Sequence, residues 1–181
     1  NIFVSVHYRG DMIRDFLGDG EKWDVDIRYL EEDRPLGTAG ALSLLPNMGA
    51  NGPLLIINSD LMTKLDYRWI IDFHNARGGG ATVCTREYSL EIPYGVVEIE
   101  DQSVKGILEK PLQRYQVNAG IYVLDQEAID IVSKEQMIDM TEVLTQQISA
   151  NRKVNAYPIH EDWADIGRHS DYRRAIDSIN T

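Results

Sequence analysis

Strand-like and helix-like segments alternate along most of this chain. Residues 2–6 and 25–30 have the composition of strands, and between them residues 11–17 place four apolar side chains on one helical face. The alternation continues with an aliphatic strand at 54–57 and a helix at 67–76. Because helical crossovers join parallel strands, the pattern predicts an α/β fold with a Rossmann-like, mixed but mostly parallel sheet flanked by helices.

The same reasoning predicts the remaining elements, and the strand–helix alternation is interrupted once, by a hairpin. The uninterrupted aliphatic run at 54–57 predicts a central parallel strand. No repeat or linker interrupts the chain, so residues 1–181 are predicted to form a single domain. The further predicted elements are a strand at 81–85, a hairpin of 94–99 and 104–109, a strand at 117–124, helices at 126–133 and 140–150, a strand at 153–158 and a helix from Ser170.

Charge and cysteine content narrow the classes of partner. The 181 residues carry 18 basic and 29 acidic side chains, a formal charge of −11, which repels nucleic acid and anionic membranes. We therefore expect neither as a partner, whereas a homo-oligomer stays open. The single cysteine, Cys84, lies in an apolar run and is predicted to be buried, and its isolation favours a reducing cytoplasm. The four histidines lack metal-ligand spacing, so zinc is not expected.

A short glycine motif follows an acidic strand-like segment and opens a helix expected to reach about Leu45. Its two glycines would let a ligand ring lie against bare backbone, and the helix N-terminus would favour phosphate. Taken alone, the pattern is more typical of a plain strand–loop–helix turn in which the threonine caps the helix. The motif consists of Leu36, Gly37, Thr38, Ala39, Gly40 and Ala41.

Two aspartates are candidate metal ligands, and the first stands at a strand end, where open α/β sheets bind ligands. Asp60 follows the aliphatic strand, and a carboxylate there costs free energy unless a cation compensates it, for which Mg²⁺ is suited. Asp165 lies between Trp163 and Gly167 and is predicted to sit in a tight turn. Each aspartate alone is also typical of a loop residue that caps backbone amides, but the two together fit a split two-carboxylate metal site.

Polar side chains also stand at the ends of the later strands. Pro111 should stop the second hairpin strand, so that Glu109 and Lys110 project from its end, where the lysine could bind a sugar hydroxyl or a phosphate. Asn118, at the start of the next strand, offers a donor and an acceptor to a polyol. An exposed ion pair and a turn asparagine are the ordinary alternatives.

Taken in order, these segments resemble the sugar-1-phosphate nucleotidyltransferases, and among them the bacterial mannose-1-phosphate guanylyltransferase-like group. The resemblance implies a fold of the nucleotide-diphospho-sugar transferase type. It also implies transfer of a nucleoside monophosphate from a nucleoside triphosphate to a sugar 1-phosphate, with GTP as the first choice. The segments are Leu36–Ala41, the strand ending in Asp60, Tyr94–Val97, Glu109–Pro111, Val117–Tyr122 and Trp163–Gly167.

The resemblance also implies a role for individual residues. Leu36, Gly37, Thr38, Ala39 and Gly40 would contact the base. Asp60 and Asp165 would hold the catalytic Mg²⁺, and Lys110 would join them as a catalytic residue. The residues implied to surround the sugar phosphate are Gly95, Glu109, Lys110 and Asn118.

The chain departs from the family pattern at two places. Asn58-Ser59-Asp60 stands where relatives commonly have Asn-Gly-Asp, which leaves the carboxylate in place. The family's first strand and its Gly-x-Gly-x-Arg-Leu loop, which wraps the triphosphate, are lacking, as is the Lys-Pro pair after them; Gly78–Gly80 follows a helix and cannot replace the loop. We therefore expect a piece of a longer enzyme that binds triphosphate poorly and is inactive by itself.

Two other classes stay open. A metal-dependent glycosyltransferase of related fold should carry an Asp-x-Asp pair at the strand end, and Ser59 before a single Asp60 argues against it. A non-catalytic domain that only binds sugar nucleotides is the other alternative, and the retention of both Asp60 and Asp165 argues against that one.

Overall fold

The computed structural model describes residues 1–46, 52–134 and 136–167, which form a mixed α/β fold. The strands are β1 (Ile2–Val6), β2 (Ile27–Glu31), β3 (Leu54–Ile57), β4 (Leu61–Thr63), β5 (Ala81–Glu91), β6 (Val96–Glu100), β7 (Ser103–Leu108), β8 (Leu112–Leu124), β9 (Val154–Pro158) and β10 (Trp163–Asp165). The α-helices are α1 (Gly10–Leu17), α2 (Gly37–Gly40), α3 (Tyr67–Arg77), α4 (Gln126–Ile129) and α5 (Met140–Ser149). The predicted mixed α/β class is confirmed.

Within the described ranges, the strands pair in four groups. The largest is a four-stranded sheet with the order β3-β8-β5-β9. β1 and β2 pair in parallel, with α1 between them in sequence, as the alternating pattern predicts. β4 pairs with β10, and β6 with β7, in antiparallel ladders.

By its internal contacts the chain divides into two compact units. The first unit comprises the described residues of Asn1–Asn58, Tyr67–Thr82 and Tyr122–Asn155. The second unit comprises the described residues of Ser59–Asp66, Val83–Ile121 and Ala156–Thr181. The prediction that residues 1–181 form a single domain stays a prediction.

The core of the first unit lies around the ends of two long strands. Ala81 begins β5 and Val123 and Leu124 end β8, and all three are fully buried. Ile70 of α3 and Val143 of α5 are also fully buried in this unit. Burial of each large aliphatic side chain stabilises the fold by about 1.5–3 kcal/mol, so this region provides much of the hydrophobic stabilisation.

One polar group lies within this core. The ring of His74 is only 2% exposed, with Nδ1 2.8 Å from Thr82 Oγ1 and Nε2 3.2 Å from Asp125 Oδ1. Because a carboxylate only accepts, Nε2 donates to Asp125, and in the neutral ring Nδ1 then accepts from the Thr82 hydroxyl. Both ring nitrogens of the buried imidazole therefore have partners.

We expect Thr82→Val to lower the free energy of unfolding by about 1–3 kcal/mol, because it leaves His74 Nδ1 buried without a donor while hardly changing side-chain volume. Urea denaturation followed by circular dichroism measures the loss. Thr85→Val, on the same strand, is the control, since the Thr85 side chain forms no hydrogen bond with any residue of the described chain. Equal losses in both variants would contradict the assignment.

The aliphatic run at 54–57 forms a strand, but the prediction of a central position is wrong. β3 is an outer strand of the four-stranded sheet as described, and Ile57 is 39% exposed. An aliphatic run indicates that both faces of a strand are covered by other residues. It does not indicate how many strands form hydrogen bonds with that strand, because this depends on which distant segments pair with it.

The helix predicted after the glycine motif is much shorter than its apolar pattern suggests. α2 has four residues and continues as a 3₁₀ turn over Ala41–Leu44. So short a helix sums few peptide dipoles, which weakens the predicted attraction for phosphate.

No described helix is long and apolar enough to cross a bilayer. The helix predicted from Ser170 lies outside the described residues.

Candidate functional site

The two candidate metal ligands come together in the second unit. Asp60 directly precedes β4, and Asp165 is the last residue of β10, so Asp165 ends a strand and does not lie in the tight turn predicted for it. The antiparallel ladder pairs Asp165 with Leu61, and Ile166 N donates to Asp60 O at 2.8 Å. This ladder places the two aspartates at the same end of the strand pair.

Gly167 gives a measure of how close the two carboxylates lie. A Cβ built on Gly167 would be 3.1 Å from Asp60 Oδ2 and 3.1 Å from Asp165 Oδ1. The two oxygens are therefore separated by no more than twice that distance. Gly167 N also donates to Asp165 Oδ1 at 2.9 Å, which fixes the orientation of that carboxylate.

The charges of this pair are not compensated by the protein as described. Asp60 is half-buried and Asp165 exposed, and neither forms an ion pair with a described lysine, arginine or histidine. Asp60 is thus less desolvated than its position after an aliphatic strand suggested, because β3 itself is only half-buried. The case for a cation rests instead on two neighbouring like charges.

A hard divalent cation suits this donor set. Mg²⁺ binds oxygen ligands at about 2.0–2.1 Å and commonly takes one or two carboxylates, completing its shell with water and substrate phosphates. No group of three or more histidine, cysteine, aspartate or glutamate side chains with metal-binding geometry occurs within the described ranges. Asp60 and Asp165 would therefore leave most coordination positions to other ligands.

Three candidate residues for the sugar phosphate meet at the end of the β6–β7 hairpin. Glu109 Oε2 lies 3.2 Å from the position that a Cβ on Gly95 would take. Lys110 N donates to Tyr94 O at 3.3 Å, and Lys110 has a φ of 45°, a left-handed conformation that is uncommon for a residue with a side chain. Glu109 and Lys110 are both exposed, so their charged groups are accessible.

Asn118 is placed on β8, close to the beginning of β10. Its Oδ1 accepts a hydrogen bond from Gly120 N at 3.0 Å. The carbonyl of the next residue, Ala119, accepts from Trp163 Nε1 at 2.9 Å. Since β10 runs from Trp163 to Asp165, this bond joins the strand that carries Asn118 to the strand that carries a candidate metal ligand.

The glycine motif lies in the first unit, where it packs against the segment that precedes α5. Leu36 O accepts from Ile138 N at 2.9 Å, and Ala39 N donates to Ile138 O at 3.0 Å. Thr38 N donates to Asp139 Oδ1 at 2.9 Å. The amides of Thr38 and Ala39, which were candidates for hydrogen bonds to a base, thus donate to other residues of the chain.

The two glycines of the motif are required by this packing. Gly37 has a φ of 76°, and a Cβ there would be 2.6 Å from Ile138 O. A Cβ on Gly40 would overlap Gln136 O. Bare backbone at both positions therefore serves close contact with the protein's own chain.

Asp139 is a residue that the sequence reasoning missed. Thr38 does not cap its own helix. Its Oγ1 instead accepts a hydrogen bond at 2.9 Å from the amide of Met140, the first residue of α5. Asp139 is the N-cap of α5 and forms a capping box with Glu142. The spacing of an aspartate and a glutamate three residues apart before an apolar run is the sequence signal that would have found it.

A cavity of about 430 Å³ borders the glycine motif. Glu32 is held at its wall, because Oε2 accepts from Leu36 N at 2.9 Å and Oε1 accepts from the Ser5 hydroxyl. The sequence reasoning passed over this glutamate, although it stands four residues before the motif. The charged residues that line the cavity are Glu31, Glu32, Asp33, Arg34 and Lys134.

Cys84 is fully buried, as predicted, and burial raises the pKa of its thiol to about 12. The thiol is therefore neutral at pH 8 and packs as a small apolar group.

We expect a disulfide reagent such as DTNB to modify Cys84 at pH 8 at least about 100-fold more slowly in the folded protein than in guanidinium chloride. Similar rates in the two states would show that the Cys84 thiol is accessible in the folded protein and would contradict its burial.

A family model described as nucleotidyl transferase matches residues 1–181. The chain belongs to the nucleotidyl transferase family. It is 32% identical to the probable mannose-1-phosphate guanylyltransferase 1 of Oryza sativa subsp. japonica, over 98% of this chain and 52% of the relative. It is 26% identical to the mannose-1-phosphate guanyltransferase of Saccharomyces cerevisiae, over 95% and 50%. The chain of 181 residues therefore spans about half the length of the curated relatives it matches.

Solved structures share its fold. HddC from Yersinia pseudotuberculosis superposes with a TM-score of 0.72 at 23% identity, covering 98% of this chain and 77% of that one. A putative glucose-1-phosphate thymidylyltransferase from Bacillus anthracis, in complex with sucrose, gives a TM-score of 0.74 at 23% identity, covering 98% and 75%. At this identity the likeness shows the fold alone, which is the predicted nucleotide-diphospho-sugar transferase fold.

Proposed function

We propose that this chain serves the transfer of a nucleoside monophosphate from a nucleoside triphosphate to a sugar 1-phosphate. GTP and mannose 1-phosphate are the first choice of substrates. The observation that carries the proposal is the convergence of Asp60 and Asp165 beside Gly167 in a member of this family. The relatives named as mannose-1-phosphate guanylyltransferases support the choice of substrates.

The proposed reaction is a displacement at phosphorus. A phosphate oxygen of the sugar 1-phosphate forms a bond to the α-phosphorus, and the bond from that phosphorus to the bridging oxygen of the β-phosphate breaks. Pyrophosphate leaves with the electron pair. Both reactants are anionic, so the protein's task is to position them and to offset their charge.

The chain's own residues divide this task. Asp60 and Asp165 would hold Mg²⁺, which when bound neutralises charge on the phosphate oxygens. Lys110 would bring a positive charge to the sugar phosphate. Glu109 and Asn118 would hydrogen-bond sugar hydroxyls, and Gly95 would leave room beside the Glu109 carboxylate.

The cavity beside the glycine motif supports GTP as the first choice. Carboxylates accept hydrogen bonds, and Glu32 is already fixed in position at the cavity wall. Guanine presents adjacent N–H donors at N1 and N2, whereas uracil and thymine present a single N–H. We propose that Leu36–Gly40 and this cavity together receive the base.

Calorimetric titration with four nucleotide sugars tests the proposal. We expect GDP-mannose to bind more tightly than UDP-glucose, dTDP-glucose and CDP-glucose, and its binding to weaken when Mg²⁺ is removed. Absence of binding by every nucleotide sugar would overturn the proposed function. Tighter binding of a pyrimidine nucleotide sugar would overturn the choice of GTP.

Pyrophosphate release from GTP, CTP, UTP and dTTP, each with a panel of sugar 1-phosphates, tests turnover. These 181 residues contain no Gly-x-Gly-x-Arg-Leu loop. We therefore expect slow or undetectable turnover by this chain despite binding of the nucleotide sugar. Robust turnover would contradict the view that such a loop is needed.

A further inference from the structure

We propose that Gly167 is a positioning residue that keeps the space beside the Asp60 and Asp165 carboxylates open for a divalent cation. This inference rests on the proposed function, because it assumes that the two aspartates bind a metal ion. It assigns to Gly167 a role that does not involve coordination: its missing side chain leaves room, and its amide orients one ligand.

The backbone conformation of Gly167 does not require a glycine. Several glycines of this chain have a positive φ and are needed for that reason, but Gly167 is not among them. Its backbone lies outside the left-handed region, so alanine would fit there without conformational strain. A glycine at this position therefore needs another physical reason.

A side chain at residue 167 would fill the space beside the two carboxylates. The Cβ position lies 3.1 Å from Asp60 Oδ2 and 3.1 Å from Asp165 Oδ1. Apart from its neighbours in the chain, no other described heavy atom lies within 4 Å of that position. Among the described residues beyond its chain neighbours, a methyl group there would contact only the two candidate ligand oxygens.

Hydrogen bonds from two successive amides hold the aspartates in place. Gly167 N donates to Asp165 Oδ1 at 2.9 Å, and the preceding amide, Ile166 N, donates to Asp60 O at 2.8 Å. A side chain at residue 167 would press on the two carboxylates, since 3.1 Å is closer than an ordinary carbon–oxygen contact.

The test is the affinity for Mn²⁺, measured without nucleotide by electron paramagnetic resonance of the free ion and by water proton relaxation. We expect Gly167→Ala to raise the dissociation constant about 10- to 100-fold, the range seen when supporting groups around metal ligands are changed. Gly167→Val should weaken binding further. Circular dichroism and melting temperature should stay unchanged, because residue 167 is exposed.

Gly106→Ala is the matched control. Gly106 lies in the same unit, its φ is also outside the left-handed region, and its Cβ would stand 3.2 Å from a single carboxylate oxygen, Glu98 Oε2. The substitution therefore brings a methyl group equally close to a carboxylate that we do not assign to the metal. We expect the Mn²⁺ affinity of Gly106→Ala to equal that of the unaltered protein.

The outcomes separate this inference from the function on which it rests. If the unaltered protein binds no Mn²⁺, or if Asp60→Asn binds it equally well, the metal site of the proposed function fails. If Asp60→Asn loses Mn²⁺ while Gly167→Ala and Gly167→Val bind it like the unaltered protein, the role of Gly167 is overturned and the metal site stands.

Discussion

Asp60→Asn is expected to weaken Mn²⁺ binding at least about 100-fold, and Asp165→Asn should have the same effect. Changes around metal ligands already cost about 10- to 100-fold in affinity, and here one of only two candidate protein ligands loses its charge. The amide keeps the side-chain shape and can still accept hydrogen bonds through its oxygen, so the loss of affinity measures the contribution of the negative charge. The same variants should abolish the Mg²⁺ dependence of GDP-mannose binding.

The control for these variants is Asp162→Asn. Asp162 lies just before β10 in the same unit, and its carboxylate pairs with Lys64 at 3.0 Å, with both side chains more than 80% exposed. This substitution removes an equal charge from a nearby strand end, so we expect unchanged Mn²⁺ affinity. If all three variants weakened binding alike, the binding would report general surface charge and the proposed site would be wrong.

Gly37→Ala is expected to lower the free energy of unfolding by about 2–5 kcal/mol. A left-handed backbone costs a residue with a Cβ about 1–2 kcal/mol, and forced overlap in a packed region adds about 1–3 kcal/mol. Both terms apply, because Gly37 has a φ of 76° and its Cβ would be 2.6 Å from Ile138 O. Urea denaturation measures the change.

Gly78→Ala separates the two terms of this prediction. Gly78 follows the last residue of α3 with a φ of 60°, yet no heavy atom of the described chain lies within 4 Å of its Cβ position. It should therefore show only the conformational cost, about 1–2 kcal/mol. If Gly37→Ala cost no more than Gly78→Ala, the contact between the glycine motif and the segment before α5 would not contribute to stability.

The sequence predicts the β6–β7 hairpin well because its turn is local. The predicted strands at 94–99 and 104–109 become Val96–Glu100 and Ser103–Leu108. The turn residues Asp101 and Gln102 both have positive φ, at 47° and 63°, which is the backbone that two-residue hairpin turns require. Short-range pattern and turn chemistry agree here, so no distant contact is needed to define the element.

Two other strands show where local pattern fails. The predicted strands at 81–85 and 117–124 become Ala81–Glu91 and Leu112–Leu124, which are 11 and 13 residues long. Much of the added length is exposed and polar, so hydrophobic alternation does not mark it. Strand length there depends on the neighbouring strand that supplies hydrogen bonds.

Mg²⁺, the cytoplasmic location and a homo-oligomeric state remain predictions of the sequence. The experiments on Asp60 and Asp165 test the metal site directly. Size-exclusion chromatography with light scattering would measure the oligomeric state.

The amino-acid sequence alone predicts the candidate site residues and their order, and these indicate the family. It could not determine which of them meet, because Asp60 and Asp165 are brought together by the pairing of β4 with β10, a contact between segments far apart in the chain. It also could not show that Gly37 is required by the protein's own Ile138, or that Gly167 stands against two carboxylates. A glycine records only a missing side chain, and what fills the space beside it depends on the tertiary structure.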